Sequence, residues 1–203
     1  MNYNFEKDIN DPQQYYWFKD ALTKEEVEKV IKLASKLPQE AASIGDKNTD
    51  KIQDTRSSIV KWIPKSSEWD WLYERIIYLA KEANTVLWRF DLHSAEESIQ
   101  YTEYHASEKG HYNWHQDILK GSQGSRRKVS ITIQLSDGED YKGGDLQISL
   151  GGDASGQLTN TIECPRGLGV GVLFPSYMMH RVTRVTEGTR KSLVIWVGGD
   201  HYR

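Results

Sequence analysis

Gly188-Thr189-Arg190-Lys191-Ser192-Leu193-Val194-Ile195-Trp196-Val197 carries the clearest structural signal in the chain. It is rich in β-branched and aromatic residues and has glycine on both flanks, the signature of a strand. Successive side chains of a strand point to opposite faces. Arg190, Ser192, Val194 and Trp196 therefore fall on one side, and Lys191, Leu193, Ile195 and Val197 on the other. One face is free to line a pocket while the other packs under a further layer.

Four earlier segments have the same character: Ile99 to Tyr104, Val129 to Leu135, Leu146 to Leu150 and Val170 to Phe174. They are short, bounded by Gly, Pro, Asp or Ser, and no helical run separates them. That pattern predicts an antiparallel barrel or jelly roll from residue 99 onward. Before Ile99 the period changes. Thr23-Lys24-Glu25-Glu26 has the form of a capping box, and Val27, Val30, Ile31, Ala34 and Leu37 follow at helical spacing until Pro38. Leu72, Ile76, Leu79, Ala80, Ala83 and Leu87 predict a second helix, opening after Ser66 or Ser67 and ending at Trp88-Arg89-Phe90. Ser58 to Ile63 reads as a strand between them, preceded by a polar loop over 45–51. The expected organisation is mainly β with packed helices: one domain, with helices and supporting strands over 1–98 and a catalytic core over 99–203.

The chain has 203 residues, a net charge of -3 and one cysteine, Cys164. Nearly balanced charge argues against a dedicated nucleic-acid binder, and a lone cysteine excludes an intramolecular disulfide or a cysteine-based zinc ribbon. Cys164 is expected to be a half-buried structural thiol. Nothing near Met1 resembles a signal peptide and no run reaches membrane-spanning length, so the expected setting is cytoplasmic, without a membrane partner.

Chemistry enters through His115-Gln116-Asp117. In a strand, positions i and i+2 share a face, so His115 and Asp117 can present two adjacent ligands. His180, in Phe174-Pro175-Ser176-Tyr177-Met178-Met179-His180, is the candidate third, expected just beyond a strand. Two imidazoles and one carboxylate on a single octahedral face are the ligand set of non-haem iron(II) oxygenases. Arg190 is the fourth element. A guanidinium buried beside a metal needs an anion, which the far carboxylate of a metal-chelating dicarboxylate would supply. Gly167-Leu168-Gly169-Val170-Gly171 is no dinucleotide fingerprint and reads as a turn into a strand. His93, His105, His111 and His201 read as structural or solvent-facing.

Tyr104 with Tyr112 to Asp117, Val129 to Ser136, Tyr141 to Leu146, Phe174 to Val182 and Val185 to Trp196 together resemble the prolyl 4-hydroxylase-like branch of the 2-oxoglutarate and iron(II)-dependent dioxygenases. The resemblance implies a double-stranded β-helix, a jelly-roll, cupin-like core with an N-terminal helical layer. It implies His115, Asp117 and His180 as iron ligands and Arg190 as the grip on the 5-carboxylate of 2-oxoglutarate. Tyr104 and Trp196 match pocket residues of the family. Where several relatives place a second tyrosine on that carboxylate this chain has Gln134, so the role passes to Gln134 or Thr132 or is lost. The implied cofactors are Fe(2+), 2-oxoglutarate and dioxygen, with ascorbate allowed as an accessory. The implied reaction hydroxylates a prolyl residue of a peptide or protein, forming succinate and carbon dioxide. Loops over 45–55 and 118–128 would clasp the chain. A free amino acid or other small molecule is the competing substrate. Two readings of other classes stay open: a zinc hydrolase on the same three ligands, which leaves Arg190 unexplained, and a non-catalytic jelly-roll binding module.

Overall fold

The computed structural model describes residues 14–41, 55–95, 97–118 and 126–200. In chain order its first elements are β1 (Tyr16–Phe18), α1 (Lys24–Ala34), β2 (Glu40–Ala41), β3 (Arg56–Ser57), β4 (Ile59–Ile63), α2 (Asp70–Val86) and β5 (Leu92–Ser94). Then follow β6 (Ile99–His105), a 3-10 turn (Ala106–Glu108), β7 (His111–His115), β8 (Arg127–Gln134), β9 (Tyr141–Gly143) and β10 (Leu146–Gly151). The last are β11 (Asn160–Glu163), β12 (Gly171–Pro175), β13 (His180–Val182) and β14 (Val185–Gly199).

These strands form two sheets. The larger runs β1-β12-β8-β14-β6-β4-β2, with β5 and β9 also paired to β14; the smaller runs β11-β10-β13-β7-β3. Every pairing is antiparallel. Two antiparallel sheets facing one another across a core make a jelly roll. Strands from before Ile99 extend both sheets.

β14 is the spine, and its two faces do what alternation demands. Leu193, Ile195 and Val197 join Ile131, Ile133, Tyr101 and Leu173 in one apolar cluster. That cluster also holds Val27, Val30 and Ala34 of α1 and Leu72, Ile76, Leu79, Ala80 and Ala83 of α2, so the helices cover the outer face of the larger sheet. The capping box of α1 forms in full: Thr23 Oγ1 accepts from the Glu26 N–H (3.2 Å), and the Thr23 N–H donates to Glu26 Oε2 (2.9 Å). The second helix opens later than expected, at Asp70, because a turn closed by the Trp69 N–H to the Ser66 carbonyl comes first. Trp88 to Phe90 is no strand. Arg89 turns the chain in the left-handed region (φ 55°), where Asn84 brackets Phe90 by accepting from its N–H and donating to its carbonyl.

A second cluster fills the space between the sheets, with Val172 and Phe174 of β12, Leu146 and Ile148 of β10, Met178, Val182, Val185, Tyr104 and Tyr141. The site opens from this interior. Gly110 brings β7 back beneath β6 to form it. A Cβ at Gly110 would meet the His105 nitrogen at 2.7 Å and the Tyr104 backbone at 2.9 Å. Backbone cannot yield as a side-chain tip does, so Gly110→Ala is expected to cost about 2 kcal/mol and lower the melting temperature by roughly 4–8 °C, read by thermal denaturation. Among the described residues, no helix is long and apolar enough to cross a membrane. The loops expected over the pocket fall mostly on 42–54 and 119–125, outside the described residues.

Candidate metal centre and its pocket

His115 is the last residue of β7 and His180 the first of β13, and the two are direct cross-strand partners. Asp117 lies beyond the end of β7 rather than in it. Strand alternation is thus not what aims its carboxylate: a turn does, held by the Asp117 N–H donating to the Ser176 carbonyl (2.9 Å). His180 opens a strand of its own instead of trailing β12. The ligand atoms of the three residues lie within 4.8 Å of one another. His115 Nε2 is 3.6 Å from Asp117 Oδ1 and His180 Nε2 is 3.4 Å from Asp117 Oδ2, long for hydrogen bonds and suited to donors that share one ion.

Their neighbours fix the donor atoms. Nδ1 of His115 lies 2.8 Å from the Asn113 carbonyl and Nδ1 of His180 lies 2.9 Å from the Met178 carbonyl. A carbonyl only accepts, so each Nδ1 carries the proton and each Nε2 keeps its lone pair for a metal. Burial, with His180 beside it, holds His115 well below the ordinary imidazole range, so it is neutral at pH 7. Burial alone would raise the Asp117 carboxyl. The two imidazoles and the Ser130 hydroxyl, which donates to Oδ2 at 2.6 Å, outweigh it and hold the group below the carboxylate range.

The centre opens on a cavity of about 350 Å³. On its wall the inner residues of β14 form rows with their cross-strand partners: Arg190 with Tyr104, Ser192 with Gln134, Val194 with Thr132, and Trp196 with Ser130. Tyr104, Thr132, Arg190 and Trp196 all line the cavity. Gln134 does not; it is buried, and its Oε1 has no hydrogen-bond partner among the described residues. Arg190 is 1 % exposed. Its Nη1 donates to Ser192 Oγ (3.1 Å), while Nε and Nη2 have no partner among the described residues. No carboxylate of those residues pairs with it. A buried cation with idle donors facing a cavity fits an incoming anion.

Other lining residues were not singled out by the sequence. Trp62, Gln100 and Tyr112 line the cavity with Arg56 and Arg127. Arg127 has a bidentate partner in Glu97 and lies 3.8 Å over the Trp196 ring. Alternation along β8 does carry Ser130 onto the face of Thr132, a legible signal. Nothing comparable marks Arg56, on a strand of two residues. Cys164 is buried more fully than expected, and burial pushes its thiol up to about 12 despite the nearby Arg190 charge. At pH 8 only about one molecule in ten thousand carries the thiolate. Iodoacetamide is therefore expected to leave the native protein unmodified and to label it once it is unfolded, as read by intact mass.

The comparisons with known proteins agree with this geometry. The signature of the 2OG-Fe(II) oxygenase superfamily matches residues 99–198. A PKHD-type hydroxylase of Crocosphaera subtropica is 35 % identical over 128 residues, covering 61 % of this chain and 53 % of the relative. One from Synechococcus sp. (strain JA-3-3Ab) is 33 % identical over 138 residues, covering 66 % and 58 %. The chain thus spans little more than half the length of these relatives. Among solved structures, a prolyl-4-hydroxylase of Pseudomonas putida superposes with a TM-score of 0.67 at 19 % identity, covering 92 % of this chain and 93 % of the other. A prolyl hydroxylase from Trichoplax adhaerens, in complex with a hypoxia inducible factor peptide fragment, gives 0.71 at 15 %, covering 92 % and 84 %. The matched stretch holds all three convergent metal donors and the unpaired guanidinium, and with iron(II), 2-oxoglutarate and dioxygen as its implied cofactors this chain belongs to the 2OG-Fe(II) oxygenase superfamily.

Proposed function

We propose that the protein is a 2-oxoglutarate- and iron(II)-dependent dioxygenase that hydroxylates a prolyl residue in a peptide or protein. The observation that carries the cosubstrate is Arg190: buried, with two idle donors, on the same cavity wall as the His-Asp-His set. In this reading His115, Asp117 and His180 hold the iron, and Arg190 with Ser192 receives the far carboxylate of 2-oxoglutarate. Tyr104 and Thr132 flank that carboxylate. Gln134 is buried and does not line the cavity, so in this reading the role of the family tyrosine falls to the cavity-lining Thr132.

Iron(II) with 2-oxoglutarate and dioxygen supplies the oxidising power, leaving succinate, carbon dioxide and a hydroxyl on the substrate. The protein's part is positioning. Asn113 and Met178 orient the two imidazoles with Nε2 toward the site, and the Ser130 hydroxyl donates to the Asp117 carboxylate, so each ligand is held in place by a neighbour. Retaining the Asp117 carboxylate fills a coordination position that a halide would otherwise take, which favours hydroxylation. Trp62 lines the cavity and offers an aromatic surface to a pyrrolidine ring.

Support for proline comes from the prolyl hydroxylases among the structural neighbours, one of them holding a peptide. A zinc hydrolase would leave Arg190 a buried charge with no counter-ion among the described residues. The test is a panel of proline-containing peptides and free amino acids, incubated with iron(II) and 2-oxoglutarate. Peptide-dependent succinate formation with the gain of one oxygen atom, absent from boiled controls, supports the reading. Oxidation of free amino acids alone would move the substrate to the small-molecule class.

A further inference from the structure

The pocket holds a second guanidinium that has no acidic partner among the described residues. Arg56 is 7 % exposed, lines the cavity, and among the described residues reaches only neutral groups: Nη2 donates to Gln100 Oε1 and Nε to Ser58 Oγ, both at 2.8 Å. Its remaining contact is the Tyr112 ring, 4.6 Å away, whose other neighbour is the His115 ring at 3.5 Å. Among the described residues, Asp117 is the sole carboxylate residue lining the cavity, and it belongs to the metal set. Arg127, the neighbouring cation, is already neutralised by Glu97. Arg190 meets the cosubstrate's far carboxylate, and iron(II) is balanced by Asp117 and the chelating carboxylate. One positive charge is then left over, and it sits on Arg56.

A buried charge without a counter-ion is unfavourable, and a guanidinium held in place by Gln100, Ser58 and Tyr112 is preorganised to receive a planar anion. We propose that the oxidised substrate bears a carboxylate and that Arg56 binds it. This rests on the dioxygenase reading above and narrows its substrate class. One aromatic ring separates Arg56 from a metal-side imidazole, so the carboxylate belongs to the oxidised residue or its immediate neighbour. It is either the terminal carboxylate of a C-terminal proline or the side chain of an adjoining acidic residue.

The test is calorimetric binding to the iron(II) and 2-oxoglutarate complex without oxygen, using two matched pairs. N-acetyl-Ala-Pro is compared with its C-terminal amide, and N-acetyl-Pro-Glu-amide with N-acetyl-Pro-Gln-amide. In the native protein the carboxylate member of one pair is expected to bind at least about tenfold tighter than its neutral twin, and that pair names the source. Gln100→Glu, which sets a carboxylate against Arg56 from within, and Arg56→Met should each erase the difference without changing 2-oxoglutarate affinity; Arg56→Lys should keep part of it. If Arg56→Met fails to fold, Gln100→Glu decides. No carboxylate advantage in either pair, including no binding by any of the four, overturns the proposal, as does an advantage that survives these substitutions. Carboxylate binding through Arg56 without oxidation of any prolyl probe would sink the prolyl reading and leave this one standing. Oxidation of neutral and acidic peptides alike would do the reverse.

Discussion

Asp117→Ala is expected to abolish hydroxylation while leaving the metal-free fold intact. The carboxylate is the single negative charge in the donor set and stands between both imidazoles, 3.6 Å from one and 3.4 Å from the other. Without it a divalent ion would meet two neutral nitrogens in a buried pocket, with its charge uncompensated. Removing groups that merely orient ligands already costs roughly 10–100-fold in metal affinity, so losing a ligand should exceed about a hundredfold. The turn around residue 117 survives, because its hydrogen bond to Ser176 uses the backbone. Iron titration, succinate formation and thermal melting of the metal-free protein separate these effects. Near-normal turnover in the variant would remove Asp117 from the ligand set.

Arg190→Met divides the other half of the site from the metal. Its two idle donors are expected to make charge-assisted hydrogen bonds to 2-oxoglutarate, and losing them should weaken cosubstrate binding by about a hundredfold or more. Iron binding should hardly change. The ligand-free protein should melt no lower than the native one, because methionine keeps much of the volume and takes away a buried charge that has no counter-ion. A merely structural arginine would give the opposite pair of results: lower melting and unchanged 2-oxoglutarate affinity. Equilibrium titration with 2-oxoglutarate and a melting curve on one preparation read both.

The division between what the sequence shows and what only the fold shows has physical causes. Strict alternation places the inner and outer residues of β14 correctly, because one face must meet water or ligand while the other meets α1 and α2. The capping box of α1 is local and forms as written. The start of α2 is not legible in that way: Trp69 provides no side-chain cap, and a preceding turn moves the start to Asp70. Asp117 shows a subtler difference. Its position beside His115 follows from the sequence, but the cause is a turn tied to Ser176, a partner distant in the chain. Arg56 is invisible to periodicity because its strand has two residues, and its meaning comes from what does not surround it. Gln134 shares the inner face with Ser192, its cross-strand partner, yet is not among the residues that line the cavity.

If one pocket holds iron(II) on His115, Asp117 and His180 and a dicarboxylate on Arg190, anaerobic optical titration of the iron(II)-loaded protein with 2-oxoglutarate will show it. A weak visible charge-transfer band is expected that requires both components, vanishes in Asp117→Ala, and moves to much higher 2-oxoglutarate concentration in Arg190→Met. No band from a protein shown to contain iron, or a band insensitive to both substitutions, would contradict it.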